Sequence, residues 1–323
     1  MSGRPRVLLT RRWPEAAEQE FQRHFEVTLN TSDRPMTEGE LAEAMSEFDA
    51  VCPTVSDTIN ATVLAGRPRA SLLANFGVGF NHIDIGAARA AGVAVTNTPG
   101  VLTDATAEIA LLLILMTARR AGEAEREVRA RRWAGWRPTH MLGASVTGKT
   151  LGLIGFGRIA QATAERARLG FGMTILYHAR RRAPAELEER LNACFCENLD
   201  ELLASADFVS LHVPGGEATH HLVNANRLKA MKPGSFLINT ARGDVVDEQA
   251  LLKALENGPI AGAGLDVYAN EPSILPEFTA RENVVLLPHI GSATAEARVA
   301  MGLRAFENVA AFFEGRTVPD RVV

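Results

Sequence analysis

Short apolar runs alternate with stretches of helical periodicity along almost the whole chain. Over residues 1–98 the runs 6–10, 26–29, 50–52, 72–75 and 93–96 predict strands, and 14–24, 37–47, 60–66 and 83–91 predict helices. A long helix is expected over about 103–120, carrying the unbroken apolar run 109–116. That run is far short of the ~18–20 residues that span a bilayer, and it reads as a helix buried on all sides. The alternation resumes at 151–154, 174–177, 194–196, 208–212, 236–239, 264–267 and 284–287. A last helix, 295–313, is expected to pack back on the first domain. Strand–helix alternation of this kind implies parallel, doubly wound sheets. The predicted class is therefore α/β with two such domains, the larger inserted into the smaller. Residues 1–98 plus 290–323 form one domain and 99–289 the other.

The strand 151–154 leads into Gly155-Phe156-Gly157-Arg158-Ile159-Ala160, a G-x-G-x-x-A sequence followed by an Ala-rich helical stretch. In such a unit Gly155 makes the tight turn and Gly157 lets the backbone approach a pyrophosphate. Ala160 keeps helix and strand close. The helix start offers free N–H groups to an anion, and a dinucleotide site follows. A second glycine pair, Gly77 and Gly79, follows the strand 72–75. Its N–H groups can hold a carboxylate, although a plain turn needs the same residues.

Composition narrows the picture. With 46% hydrophobic and 22% charged residues the 323-residue chain is ordinary for a globular protein, and its net charge of −4 gives no electrostatic case for nucleic acid. The three cysteines, Cys52, Cys194 and Cys196, offer no disulfide framework and fit a reducing cytosol. Cys194 and Cys196 read as small core residues, two thiols alone making a poor metal site, and no metal site is expected. No signal peptide or membrane span is predicted. The arginines between 119 and 137 read as a solvated helix face. The polar, irregular stretch 126–147 carries Trp133 and Trp136, which suit either a partner surface or a fold-back onto their own domain.

Three polar residues fall at strand ends in the second domain. Arg242 follows 236–239, Glu271 lies beyond 264–267, and His289 ends 284–287. Ligands of open α/β sheets bind outside the carboxyl ends of the strands, so all three are expected on the cofactor side. Singly, each also reads as a loop arginine, a turn acid or a helix-capping residue. Together they form a kit for reducing a 2-oxo acid. A guanidinium holds the carboxylate and polarises the carbonyl. A histidine gives a proton to the developing alkoxide. A carboxylate behind it fixes the tautomer and stabilises the imidazolium.

The chain resembles the D-isomer-specific 2-hydroxyacid dehydrogenases over essentially its whole length, most of all their glyoxylate/hydroxypyruvate reductase branch. The matching stretches begin at Asn75-Phe-Gly-Val-Gly-Phe-Asn-His-Ile-Asp84, Thr103-Asp-Ala-Thr-Ala-Glu108 and Gly148-Lys-Thr-Leu-Gly-Leu-Ile-Gly155. They continue through Leu211-His-Val-Pro214, Met231-Lys-Pro-Gly234 to Arg242-Gly243, Gly264-Leu-Asp-Val-Tyr268 and Pro288-His-Ile-Gly-Ser-Ala-Thr294. The resemblance implies Arg242, Glu271 and His289 as catalytic residues, and Val78, Gly79, Ser292 and Trp136 beside Arg242 at the substrate. It implies a cofactor held by Thr106, Gly155, Gly157, Arg158, Ile159, Ala179, Arg180, Val213, Pro214, Thr219, Thr240, Asp266, His289 and Gly291. A homodimer built through an arm over about 120–147 is also implied. The acidic residue expected after the second strand of the dinucleotide fold is missing. Ala179 stands there, followed by Arg180-Arg181-Arg182. That departure favours NADP(H), with NAD(H) still possible. Alternative functions are another dehydrogenase of the same family or a dinucleotide-sensing, corepressor-like binding protein.

Overall fold

The computed structural model describes residues 3–66 and 68–323. The chain forms two compact units, one running up to Leu102 and resuming at Ser292–Val323, the other Thr103–Gly291.

The first unit holds β1 (Arg6–Leu9), α1 (Glu15–His24), β2 (Glu26–Leu29), α2 (Glu38–Glu47), β3 (Ala50–Cys52), β4 (Leu72–Ala74), α3 (Ile85–Ala90) and β5 (Ala94–Thr96). Its five strands pair in parallel in the order β2-β1-β3-β4-β5. Residues 61–64, expected to be helical, make only turns. The Asn60 side chain takes the N–H groups of Thr62 and Val63 at 3.0 and 3.1 Å, and Gly66 sits at φ +84°. Asn60 thus caps a single turn, which Gly66 in the left-handed region ends before a helix can extend.

The second unit opens with α4 (Thr103–Ala118) and α5 (Ala121–Arg129). It continues with β6 (Thr150–Ile154), α6 (Arg158–Phe171), β7 (Thr174–His178), α7 (Ala185–Leu191), β8 (Ala193–Phe195), α8 (Leu199–Ser205) and β9 (Phe208–Leu211). Then follow α9 (Ala225–Ala230), β10 (Phe236–Asn239), α10 (Glu248–Asn257), β11 (Gly262–Leu265), α11 (Pro276–Thr279) and β12 (Val284–Leu286). The seven strands pair in parallel in the order β12-β11-β10-β9-β6-β7-β8. The order reverses between β6 and β9, the switch point at which such sheets take ligands. Gly152 in β6 permits this packing: a Cβ there would lie 2.6 Å from Leu202 Cδ2 and 2.9 Å from Ala206 Cβ. α12 (Ala295–Phe313) belongs to the first unit, against α1.

Three expectations need correction. α4 is not buried on all sides, because Leu112 is 40% exposed. The break after it is sharper than expected: Arg120 at φ +53° separates α4 from α5, so residues 126–129 are helical and irregular chain begins at 130. Cys194 is exposed on the edge strand β8 and Cys196 is half-buried, so only Cys52 is a core residue. Among the described residues no group of His, Cys, Asp or Glu is arranged to hold a metal ion, and no helix is long and apolar enough to cross a membrane.

Candidate active site

The glycine turn is built as its sequence demands. Gly155 adopts φ +90°, and a Cβ there would lie 2.5 Å from the His212 carbonyl oxygen, so the turn presses on the end of β9. Ala160, in the first turn of α6, is fully buried. A Cβ at Gly157, by contrast, would meet nothing within 4 Å, and no described hydrogen bond engages the N–H groups of Arg158 and Ile159. Arg158 is exposed and Ile159 half-buried. An open, donor-rich helix start of this kind fits a pyrophosphate.

The end of β7 carries the next group. His178 bonds through Nδ1 to the Cys196 carbonyl at 3.0 Å, followed by half-buried Ala179 and exposed Arg180. The three arginines are not equivalent. Arg182 is committed to Glu188 on α7 (Nη2 to Oε2 2.8 Å), and that carboxylate also accepts the Tyr177 hydroxyl at 2.5 Å. Arg180 and Arg181 carry no described ion pair. Beyond β9, burial pushes His212 down to about 4, so its ring is neutral beside Ser210 Oγ at 2.9 Å. Val213 is half-buried and Pro214 exposed; the Thr219 hydroxyl donates to the Pro214 carbonyl at 2.6 Å. At the end of β10, Thr240 Oγ1 is buried without a hydrogen-bond partner. A buried hydroxyl left unpaired costs ~1–3 kcal/mol, and a polar cofactor edge would offset that cost.

Arg242, Glu271 and His289 share one cluster of loops. Gly243 sets the approach of two of them: a Cβ there would lie 1.8 Å from the Tyr268 carbonyl carbon, so the loops after β10 and β11 touch backbone to backbone. The Arg242 Nη1 donates to the Ala241 carbonyl at 2.7 Å, and its main-chain oxygen accepts from Asn239 Nδ2 at 2.8 Å. Burial lowers the Arg242 pKa, opposed by the charges of Glu271 and Asp244. His289 Nδ1–H donates to Glu271 Oε2 at 2.6 Å, and Tyr268 N–H donates to Oε1 at 2.9 Å. Burial would raise the Glu271 pKa, but the hydrogen bond and charge of His289, the Tyr268 N–H and the charge of Arg242 together hold it below the usual carboxylate range. With Nδ1 occupied, Nε2 is the ring nitrogen left for a reactant.

Two supports of this cluster escaped sequence reasoning. Asp266, assigned there to the cofactor, is fully buried, and its two oxygens accept the N–H groups of Ile290 and Gly291, both at 2.8 Å. The clamp holds His289 at φ +55°, a conformation costing a non-glycine residue on the order of 1 kcal/mol. Burial raises the Asp266 pKa, against the lowering effect of the Ile290 N–H, the His289 charge and the Gly291 N–H. Thr106 is buried on α4, its Oγ1 3.6 Å from the Cβ position of Gly291. The second support is Glu248, the first residue of α10, which accepts the Ala269 N–H at 2.9 Å. An acid three residues before a helical apolar run signals only a helix start, so its reach to another loop was not legible.

A Cβ at Gly243 forces the two loops apart. Gly243→Ala is therefore expected to cost at least about 2 kcal/mol in urea denaturation and to lower activity through the displaced Glu271.

In the first unit, the loop after β4 leaves the N–H groups of Val78 and Gly79 without a described hydrogen bond. Ser292 is half-buried, its carbonyl accepting the Thr294 N–H at 2.9 Å. Trp133 and Trp136 are 55% and 82% exposed, so neither folds back onto its own unit.

Residues 111–291 match the D-isomer-specific 2-hydroxyacid dehydrogenase, NAD-binding domain. The chain is 45% identical to the glyoxylate reductase of Thermococcus litoralis, over 99% of this chain and 97% of that protein. Its structure is similar to a glyoxylate reductase from Paecilomyes thermophila (TM-score 0.87, 32% identity, 100% and 99% of the two chains). It is similar also to the NADPH-dependent glyoxylate/hydroxypyruvate reductase of Sinorhizobium meliloti in complex with NADP and malonate (TM-score 0.88, 34% identity, 99% and 97%). A half-buried arginine, a Glu–His pair and a glycine turn open to a dinucleotide thus occur in a chain that belongs to the D-isomer-specific 2-hydroxyacid dehydrogenases, on the glyoxylate reductase branch, an NAD(P)-dependent oxidoreductase acting on CH–OH groups.

Proposed function

We propose that the protein reduces small 2-oxo acids, glyoxylate and hydroxypyruvate first, with NADPH preferred to NADH. The observation that carries this reading is the 2.6 Å His289–Glu271 pair, with Nε2 unengaged, in the same loop cluster as the half-buried Arg242. The reduced nicotinamide supplies the hydride. Arg242 holds the substrate carboxylate and polarises the carbonyl oxygen. Val78 and Gly79 are assigned to the carboxylate through their N–H groups, and Ser292 to the substrate. His289 Nε2–H gives its proton to the oxygen as negative charge develops there, and Glu271 stabilises the resulting arrangement of charge. Gly155, Gly157, Arg158 and Ile159 are assigned to the pyrophosphate. Ala179, Arg180, Val213, Pro214 and Thr219 are assigned to the adenosine side, and Thr106, Thr240, Asp266 and Gly291 to the nicotinamide side. On this reading Thr103–Gly291 is the dinucleotide domain and the remainder the substrate domain. A dinucleotide sensor without turnover would have no use for the Glu–His pair.

Turnover of glyoxylate and hydroxypyruvate should exceed that of neutral aldehydes of the same size by at least ~10²-fold in kcat/KM, because the carboxylate contacts orient the carbonyl. Equal rates with neutral aldehydes would contradict the assignment.

The pH dependence has a defined sign. Glu271 is held below the usual carboxylate range and stays ionised across neutral pH. Once pH falls through that lowered range the carboxylate takes up a proton and no longer stabilises positive charge on its partner, so reduction should fall on the acid side. The amide introduced by Glu271→Gln is neutral at every pH, so this acid limb should be missing from the variant's reductive profile. An acid limb unmoved in the mutant would mean that the pair is not coupled.

Of the eight large apolar side chains exposed among the described residues, Val128, Trp133, Trp136 and Leu142 lie in the stretch 120–147, and Leu112, Val55, Leu169 and Leu303 lie outside it. The four within it support a homodimer built through the arm 120–147, with Trp136 reaching the partner's substrate site. Trp136→Ala should raise the KM for hydroxypyruvate while leaving cofactor affinity unchanged. A KM equal to wild type would confine Trp136 to the interface.

A further inference from the structure

The loop Gly77-Val78-Gly79 is held from behind by two asparagine side chains to which no role has yet been given. Asn75 is fully buried at the end of β4. Its Nδ2 donates to the carbonyls of both Gly77 and Gly79 at 3.0 Å, and its Oδ1 faces His82 Nε2 at 3.0 Å. Two carbonyls on one side fix the amide orientation, so His82 Nε2 must carry the proton and donate. Asn97, one residue beyond β5, donates through Nδ2 to the remaining carbonyl, that of Val78, at 2.8 Å. The Thr98 N–H adds a second donor to Gly77 O at 3.0 Å. All three carbonyls of the loop are thereby tied down, while the Val78 and Gly79 N–H groups carry no described hydrogen bond. A peptide whose carbonyl is fixed in one direction has its N–H fixed in the opposite one. Unpaired N–H groups on successive residues form an anion-binding concavity.

We infer that Asn75 and Asn97 are positioning residues for substrate recognition: by anchoring the carbonyls of Gly77 and Val78 they fix the two peptides that carry the Val78 and Gly79 N–H groups and aim those groups at the carboxylate of the 2-oxo acid. The inference rests on the proposed reduction of 2-oxo acids and deepens it. Neither side chain touches substrate; each acts through the backbone. Asparagine suits the position because its amide donates without carrying a charge. An aspartate at 75 keeps the size but presents oxygen to two carbonyl oxygens, and adds a negative charge near the carboxylate site.

The test compares wild type with Asn75→Asp and Asn97→Ala. It uses steady-state glyoxylate reduction at saturating reduced cofactor, with fluorescence titration of the enzyme–cofactor complex by oxalate. Asn75→Asp is expected to raise both the KM for glyoxylate and the Kd for oxalate at least ~30-fold. Asn97→Ala should raise both by ~3- to 10-fold, with kcat within ~3-fold of wild type and cofactor affinity unchanged in either variant. A merely structural role would instead lower the apparent kcat through loss of folded enzyme and leave KM and the oxalate Kd in place. That pattern in either variant would overturn the inference. Should Asn75→Asp fail to fold, Asn97→Ala decides alone, since its side chain makes a single bond to the loop. Wild-type protein that neither reduces glyoxylate nor binds oxalate would instead contradict the functional reading itself.

Discussion

Arg242→Ala is expected to lower kcat/KM for glyoxylate at least ~10²-fold in a protein that still folds, the scale of removing an oriented electrostatic group. The fold should survive because bonds independent of the Arg242 side chain also shape this loop. The Arg242 carbonyl keeps its bond from Asn239, and the 3-10 turn Gly243–Val245 follows unchanged. The guanidinium is a different matter. It is desolvated among carboxylates, where burial already works against its charge. A cation kept in such surroundings interacts with a substrate carboxylate far more strongly than one in water. Arg242→Lys should rescue little, because an ammonium lacks the planar fork. Circular dichroism and urea denaturation establish the fold. Wild-type kinetics in folded Arg242→Ala would remove Arg242 from the mechanism.

The second large effect concerns cofactor choice. The ratio of kcat/KM with NADPH to that with NADH is expected to favour NADPH, and to shift toward NADH by ~10- to 100-fold in Ala179→Asp with Arg180→Ala. An acidic residue about 20 positions after the glycines would bind the ribose 2′-hydroxyl and repel a 2′-phosphate. Here the position holds Ala179, and Arg180 and Arg181 follow without described ion pairs, while Arg182 is spent on Glu188. One charge-assisted contact contributes about 1.5–3 kcal/mol, which sets the size of the shift. Arg182 is thus committed to α7, and the proposed phosphate contact falls to Arg180 and Arg181. Arg182→Ala should loosen α7 and change selectivity little. A wild-type ratio favouring NADH would end the idea, and an unmoved ratio in the double mutant would locate selectivity elsewhere.

Much of this is legible in the sequence. Buried parallel strands write themselves as continuous apolar runs, so β6, β9 and β10 stand out in the sequence, as does the glycine turn that must follow β6. Arg242, Glu271 and His289 are readable because strand ends in such a sheet face one side. What stayed hidden depends on side chains that reach across loops. The clamp of Asp266 on Ile290 and Gly291 links positions 24 and 25 residues apart, and Glu248 supports a loop 21 residues on. No local periodicity encodes such pairs. The turns at 61–64 failed for the opposite reason: the composition is helical, but Gly66 in the left-handed region ends the segment after a single turn. Cys194 misled because an apolar residue type on an edge strand need not face the core.

The most direct measurement adds glyoxylate to wild-type protein and to His289→Asn, each at saturating NADPH and separately at saturating NADH, and follows consumption of the reduced cofactor. Wild type is expected to oxidise the cofactor with one glycolate formed per cofactor consumed. His289→Asn should be slower by at least ~10²-fold, as befits loss of the proton donor. No consumption by wild type with either cofactor, or an undiminished rate in folded His289→Asn, would contradict the account.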